Sequence, residues 1–232
     1  MRSIWRTLDV ALRRDLLAVV LAIGVVGVSF GAIAVAGGLP WWMPSLLSLL
    51  VFAGGSQFMV VGVVAAGGGP VAAVLGALLL NARHLPFGLA VGGVMGRGFA
   101  PRLFGSHLLI DESVAFAMAQ KDPVRSRAVF WALGSAAYVV WNVGTLAGVL
   151  AGRGIADTDA FGLDAAFPAA LLALVLPTLR GDARTRNAAL AGAAVALVAT
   201  PFLPPGVPVL LALAGLAVLI PAPRTTSEGA PA

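Results

Sequence analysis

The chain has 232 residues, 59% hydrophobic and 11% charged, with a mean hydropathy of +0.97. A soluble domain carries about 25% charged residues, so a water-soluble globular fold is excluded, and apolar runs that are long and unbroken exclude the alternating ten-residue segments of a transmembrane β-barrel. The net charge of +5 does not read as a nucleic-acid surface, because most arginines flank apolar runs, and the lack of cysteine removes disulfides and thiolate metal sites.

The expected fold class is all-α: a polytopic transmembrane helical bundle of about seven to eight membrane segments, including a broken or half-helix region. Residues 1–15 read as an interfacial N-terminal helix. Ile4, Trp5, Leu8 and Leu12 share one face, and Arg2, Arg6, Asp9 and Arg13 another. Residues 16–220 read as one transmembrane domain. Its apolar runs lie near 16–37, 44–66, 70–95, 128–150, 165–179, 187–203 and 206–220. Gly-Gly-Leu-Pro at 37–40 and Gly-Gly-Gly-Pro at 67–70 are uncharged turns, and Trp41 and Trp42 suit an interfacial belt. Residues 221–232 are polar and proline-containing and read as a disordered tail. No convincing internal repeat is visible.

Charge asymmetry orients the chain. Arg2, Arg6, Arg13 and Arg14 place the N-terminus in the cytoplasm, with Lys121, Arg125 and Arg127, and then Arg180, Arg184 and Arg186, marking further cytoplasmic loops. Residues 151–164 hold Arg153 against Asp157, Asp159 and Asp164 and read as external. Three spans before Lys121 would put that loop outside. Either 103–119 also enters the membrane, as a short crossing or half-helix, or an earlier span is re-entrant. With eight elements both termini are cytoplasmic.

Polar groups at membrane depth mark function. Leu79-Leu80-Asn81-Ala82-Arg83-His84-Leu85-Pro86 sets an amide, a guanidinium and an imidazole inside an apolar run. Asn81 and His84 share a helix face, and Pro86 is expected to leave the Ala82 carbonyl without its helical donor, as in the broken helices of transporters. The alternative is a loop with Arg83 snorkelling to the interface. Asp111 and Glu112 are the only carboxylates between Asp15 and Asp122. His107 and Asp111 are spaced i, i+4, so a continuous helix stacks them on one face. A buried carboxylate stays ionised only beside a cation, and Arg83 is an available partner. The alternative is a helix cap at the membrane surface. Gly54, Gly55, Ser56 and Gln57 lie mid-span, where paired glycines permit close approach or a break and the polar pair lines a path or bonds between helices. Gly88/Gly92/Gly96 and Gly144/Gly148/Gly152 read as packing faces. Asp164 reads as a helix cap.

At four of these places the chain resembles the AzlC family of branched-chain amino-acid exporters: VFAGGSQF (51–58), NARHLPFG (81–88), DESVAFA (111–117) and GLDAAFPA (162–169), in the family's order. The resemblance implies export of valine, leucine, isoleucine or similar hydrophobic amino acids across the bacterial cytoplasmic (inner) membrane, with a small AzlD-like membrane subunit as partner. Phe87 and Phe116 stand where many relatives carry tyrosine, so no hydroxyl is available there. Nothing resembles a nucleotide-binding motif, and the expectation is a gradient-driven transporter rather than an enzyme, with no catalytic group, cofactor or metal. Substrate binding is assigned to Gly54, Gly55, Ser56, Gln57, Asn81 and Arg83, and proton coupling to His84, His107, Asp111 and Glu112. Two other classes are kept: an intramembrane hydrolase using Ser56 with His84 or His107 as base, and a channel or flippase for another small amphiphile.

Overall fold

The computed structural model describes residues 8–153, 179–203 and 207–219, with Leu172 and Leu176. Most of the N-terminal interfacial segment, the Asp164 cap, the loop acids Asp157 and Asp159, and the C-terminal tail lie outside the described residues. Every regular element among the described residues is helical. The chain divides into two compact units, Met1–Leu171 and Leu172–Ala232.

The first unit is built on two long helices, α1 (Val10–Ala36) and α8 (Pro123–Gly152), both long and apolar enough to cross a membrane. Each opens on an aspartate cap. Asp9 accepts from Leu12 N–H at 2.8 Å, and Asp122, followed by Pro123 at the first helical position, accepts from the N–H groups of Val124 and Arg125. Because α1 starts at Val10 and runs unbroken past Asp15, residues 10–15 form its first turns and are not a separate helix. It stops at Gly37 and Gly38, the latter with φ of 92°.

Small residues bring α1 and α8 together. A Cβ placed on Gly148 would lie 2.0 Å from the Val28 carbonyl oxygen, and one on Gly31 would lie 2.1 Å from that of Thr145. The Gly144/Gly148/Gly152 stripe is therefore the packing face expected. The contacts advance in step along both helices. Asp9 pairs with Arg125, Gly24 meets Val140 and Gly144, and Ala32 meets Gly152. The two helices are parallel, so their N-termini share one end of the unit.

The segment between them does not form the simple spans read from hydropathy. Residues 44–66, expected as one crossing, are two helices, α2 (Trp42–Leu50) and α3 (Gly54–Ala65), separated at Val51–Ala53. α2 starts at the C-terminal end of α1, where Arg153 stacks over Trp41. It descends to mid-height on α8, where Ser48 bonds Asn142 and Tyr138 bonds the Leu49 carbonyl. α3 then sets out from Gly54 beside Trp141 and returns, its Val61 and Ala65 lying against Gly37. The pair is a helical hairpin that returns to the end from which it started.

α4 (Pro70–Asn81) lies antiparallel to α3, with Gly76 on Met59 and Leu80 by Gly55. It continues, bent by 45°, into α5 (His84–Met95), which ends at Gly96 beside Arg127. Together they make one bent element reaching from the α1 C-terminal end to the α8 N-terminal end. Pro86 lies in the first turn of α5, where its missing N–H has no helical acceptor to lose. The Ala82 carbonyl is not left free as expected: Leu85 N–H donates to it at 3.1 Å. Gly92 faces open space and Gly88 only brushes Leu109, so Gly88/Gly92/Gly96 is not a packing face.

α6 (Phe99–His107) climbs from that end to mid-height, Leu108 reaching Gly134. α7 (Asp111–Met118) descends again, and Ser126 donates to the Ala117 carbonyl at 2.7 Å. This is a second helical hairpin, starting from the opposite end. Because Leu108–Ile110 break the helix, His107 and Asp111 do not share a helix face, which corrects the i, i+4 reading.

In the second unit, Asp182 caps α9 (Ala183–Ala199). After α10 (Val207–Leu211), a 3₁₀ helix (Ala212–Leu219) packs back on α9 where Gly215 meets the Ala188 carbonyl and Gly192 that of Ala212. Among the described residues, two helices are long and apolar enough to span a membrane, or three with the bent α4–α5 pair counted as one.

Candidate functional site

The two hairpin tips and the α4–α5 junction meet at mid-height on α8. Arg83, at the junction, lies between the tips. Its Nη2 is 3.1 Å from Asp111 Oδ2 on α7, and a Cβ on Gly55 of α3 would come within 3.2 Å of the same nitrogen. A side chain at 55 would press on the guanidinium and on Leu80, which would have to give by a few tenths of an ångström. The two side chains keep 32% and 29% of their surface exposed, so the ion pair is open on one side.

Several buried polar atoms have no hydrogen-bond partner among the described residues: Arg83 Nε and Asp111 Oδ1 in the pair itself, Asn81 Oδ1 beside it in sequence, and both amide atoms of Gln57 on α3. Buried polar atoms are almost always paired, which makes these atoms candidates for contact with something polar. Gln57 is only 1% exposed and sits in the first turn of α3, whose N-terminus carries no side-chain cap. Asp111 and Glu112 occupy the first turn of α7, where the helix dipole favours negative charge.

The remaining expected site residues take other places. The Ser56 hydroxyl donates to the Ala53 carbonyl at 2.8 Å and is buried; it closes the α2–α3 break. His84 is turned to its own helix start, with Nδ1 3.1 Å from the Asn81 carbonyl and its ring edge-on to Phe87. His107 lies edge-on to Tyr138 and tilted against Phe52. Among the described residues neither imidazole is hydrogen-bonded to Ser56.

Reading the sequence missed the α8 wall. Tyr138 packs against Phe52 and His107, and Trp141 stacks on Phe30 and lies over Gly54. Ser48 donates to Asn142 at 2.8 Å. The available signal was that Tyr138 is the single tyrosine of the chain and shares an apolar run with Trp141 and Asn142. Phe52 also went unnoticed. Its φ of 39° is unusual for a bulky residue and costs about 1–3 kcal/mol, held by the aromatic contacts.

Residues 18–155 match the AzlC protein family, over half of the chain and inclusive of both hairpins. The chain belongs to the AzlC family. A relative from Archaeoglobus fulgidus, named only as an uncharacterized membrane protein, is 33% identical over 183 residues, covering 77% of this chain and 78% of its own. No solved structure matches. As an AzlC protein the chain is a membrane protein of a family associated with transport, and its family match runs from within α1 to just past α8, the stretch that builds the Arg83 site.

Proposed function

We propose that this AzlC protein is the large subunit of an exporter of branched-chain or other hydrophobic amino acids, resident in the cytoplasmic membrane, driven by an ion gradient and partnered by a small AzlD-like subunit. The observation that carries the reading is Arg83 held between Gly55 and Asp111. A guanidinium beside an uncapped helix N-terminus is suited to a carboxylate. The adjacent acids Asp111 and Glu112 suit an ammonium, and Phe52, Tyr138 and Trp141 offer apolar surface to an aliphatic side chain. A zwitterion with an apolar tail matches that set.

Coupling to protons fits the same groups. Substrate carboxylate and Asp111 compete for Arg83, so binding of the one displaces the other from its ion pair. The parallel α1 and α8 support a cytoplasmic N-terminus together with a cytoplasmic 121–127 loop, since both helices start at one end. With each hairpin counted as one element, α1, the two hairpins, α4–α5, α8, α9 and the α10–3₁₀ segment make seven membrane-inserted elements among the described residues.

The test is efflux of labelled valine from cells loaded with a valine dipeptide, with and without co-expression of the small subunit. Arg83→Gln is expected to abolish efflux while the protein still accumulates in the membrane. Undiminished efflux in Arg83→Gln sinks the assignment.

A further inference from the structure

The fold supplies a register that the sequence hides. Each hairpin follows a long transmembrane element and a turn containing glycine at positive φ, Gly38 before the first and Gly96 and Gly98 before the second. Each opens with a nine-residue helix, Trp42–Leu50 and Phe99–His107, with proline at its third position, Pro44 and Pro101. Each breaks for three residues and resumes, at Gly54 and at Asp111, in a helix whose third residue is serine, Ser56 and Ser113. The helix starts, the prolines, the points where the helix resumes and the serines are each 57 residues apart. Few other side chains agree, so the likeness lies in the backbone.

The two serines also do the same thing. Ser56 Oγ donates to the Ala53 carbonyl at 2.8 Å, and Ser113 Oγ reaches the Ile110 carbonyl at 3.0 Å and accepts from Ile110 N–H. Ala53 and Ile110 are again 57 apart. Both serines are buried, as are Phe52 and Ala53 of the first break and Leu109 and Ile110 of the second. The breaks touch: the rings of Phe52 and His107 lie 6.2 Å apart and both pack on Tyr138, at 5.0 and 5.2 Å. Yet the hairpins reach this point from opposite ends of α8. The bent α4–α5 element, which runs against α1, inverts the second copy relative to the first. Inverted repeats meeting at the midplane give a transporter one equivalent gate for each face.

We propose that residues 42–65 and 99–118 are two copies of one re-entrant gate, inverted across the membrane, and that Ser56 and Ser113 are the equivalent positioning residues that hold each tip closed over Arg83. This rests on the transport reading above and adds how the site is reached from each side. A hydroxyl that satisfies a buried break carbonyl fixes the closed geometry, because without it that carbonyl loses its partner away from water.

The chain contains no cysteine, so single-cysteine variants report without background. Ala53→Cys and Ile110→Cys are made in the full chain and titrated with a membrane-impermeant maleimide in right-side-out and inside-out vesicles. Ala53→Cys is expected to react from the face that carries Pro40, and Ile110→Cys from the face that carries Lys121. Adding Ser56→Ala should raise the first rate several-fold and leave the second unchanged, Ser113→Ala should do the converse, and threonine at either position should restore the parent rate. Both cysteines reacting from one face, or either alanine variant raising both rates alike, overturns the proposal. Should an alanine variant fail to accumulate, the sidedness of the two cysteines in the otherwise unaltered chain still decides. No transported solute enters these measurements, so they hold or fail separately from the valine-efflux assay.

Discussion

Arg83 shows how one nitrogen ties three elements together: Nη2 faces Asp111 on one side and the Gly55 backbone on the other. Lysine keeps the charge but loses the planar fork. Arg83→Lys is therefore expected to lower labelled-valine efflux by roughly tenfold or more, the scale of losing one charge-assisted hydrogen bond, and normal export would remove the geometric role. Gly55→Leu fills the space the guanidinium occupies and should depress efflux strongly, whereas Gly62→Leu on the same helix enters open space and should not. Asp9 is different in kind. Its carboxyl is held below the usual carboxylate range first by the Leu12 N–H and then by Arg125. A depressed folded pKa means that its stabilisation is present above the unfolded value of about 3.9 and is lost as pH falls through the folded value. Asp9→Asn should lower the melting temperature at pH 7 in low salt and make little difference at pH 2.5. An equal loss at both pH values would mean that the charge is irrelevant.

Among the elements, α1 and α8 depend on glycine because their backbones nearly touch. Gly148→Leu drives a side chain into the Val28 carbonyl, with no flexible neighbour to yield. Overpacking of this kind costs about 1–3 kcal/mol or more, and the detergent-solubilised variant should melt several degrees lower or fail to accumulate. Gly92→Ala, in open space on α5, should be neutral or slightly stabilising, since alanine is the better helix former. Equal melting temperatures for the two variants would contradict the α1–α8 interface.

For the whole molecule, the hairpins change how the chain threads the membrane. Pro40 and Ala66 flank the first hairpin and are both exposed. If α2 and α3 turn back, cysteines at Pro40 and Ala66 label from the same face, and one at Lys121 labels from the other. A full crossing by residues 44–66 would put Pro40 and Ala66 on opposite faces, so their labelling decides between the two threadings.

Composition alone determined an all-helical membrane protein, because 59% hydrophobic residues in unbroken runs admit little else. The sequence also singled out Asn81, Arg83, Asp111 and Gln57, because polar groups are costly at membrane depth, and it named Arg83 as a partner for the acid pair. It could not decide between crossing and turning back. A re-entrant hairpin and a full span bury the same apolar surface, and the residues at the breaks, Val51–Ala53 and Leu108–Ile110, are as apolar as any helix interior. Those breaks are fixed by contacts with α8, far along the chain: Tyr138 and Trp141 against the first, Gly134 against the second. The same long-range packing separated His107 from Asp111 and set Arg83 between two tips, since only the tertiary structure brings residues 55, 83 and 111 to one point.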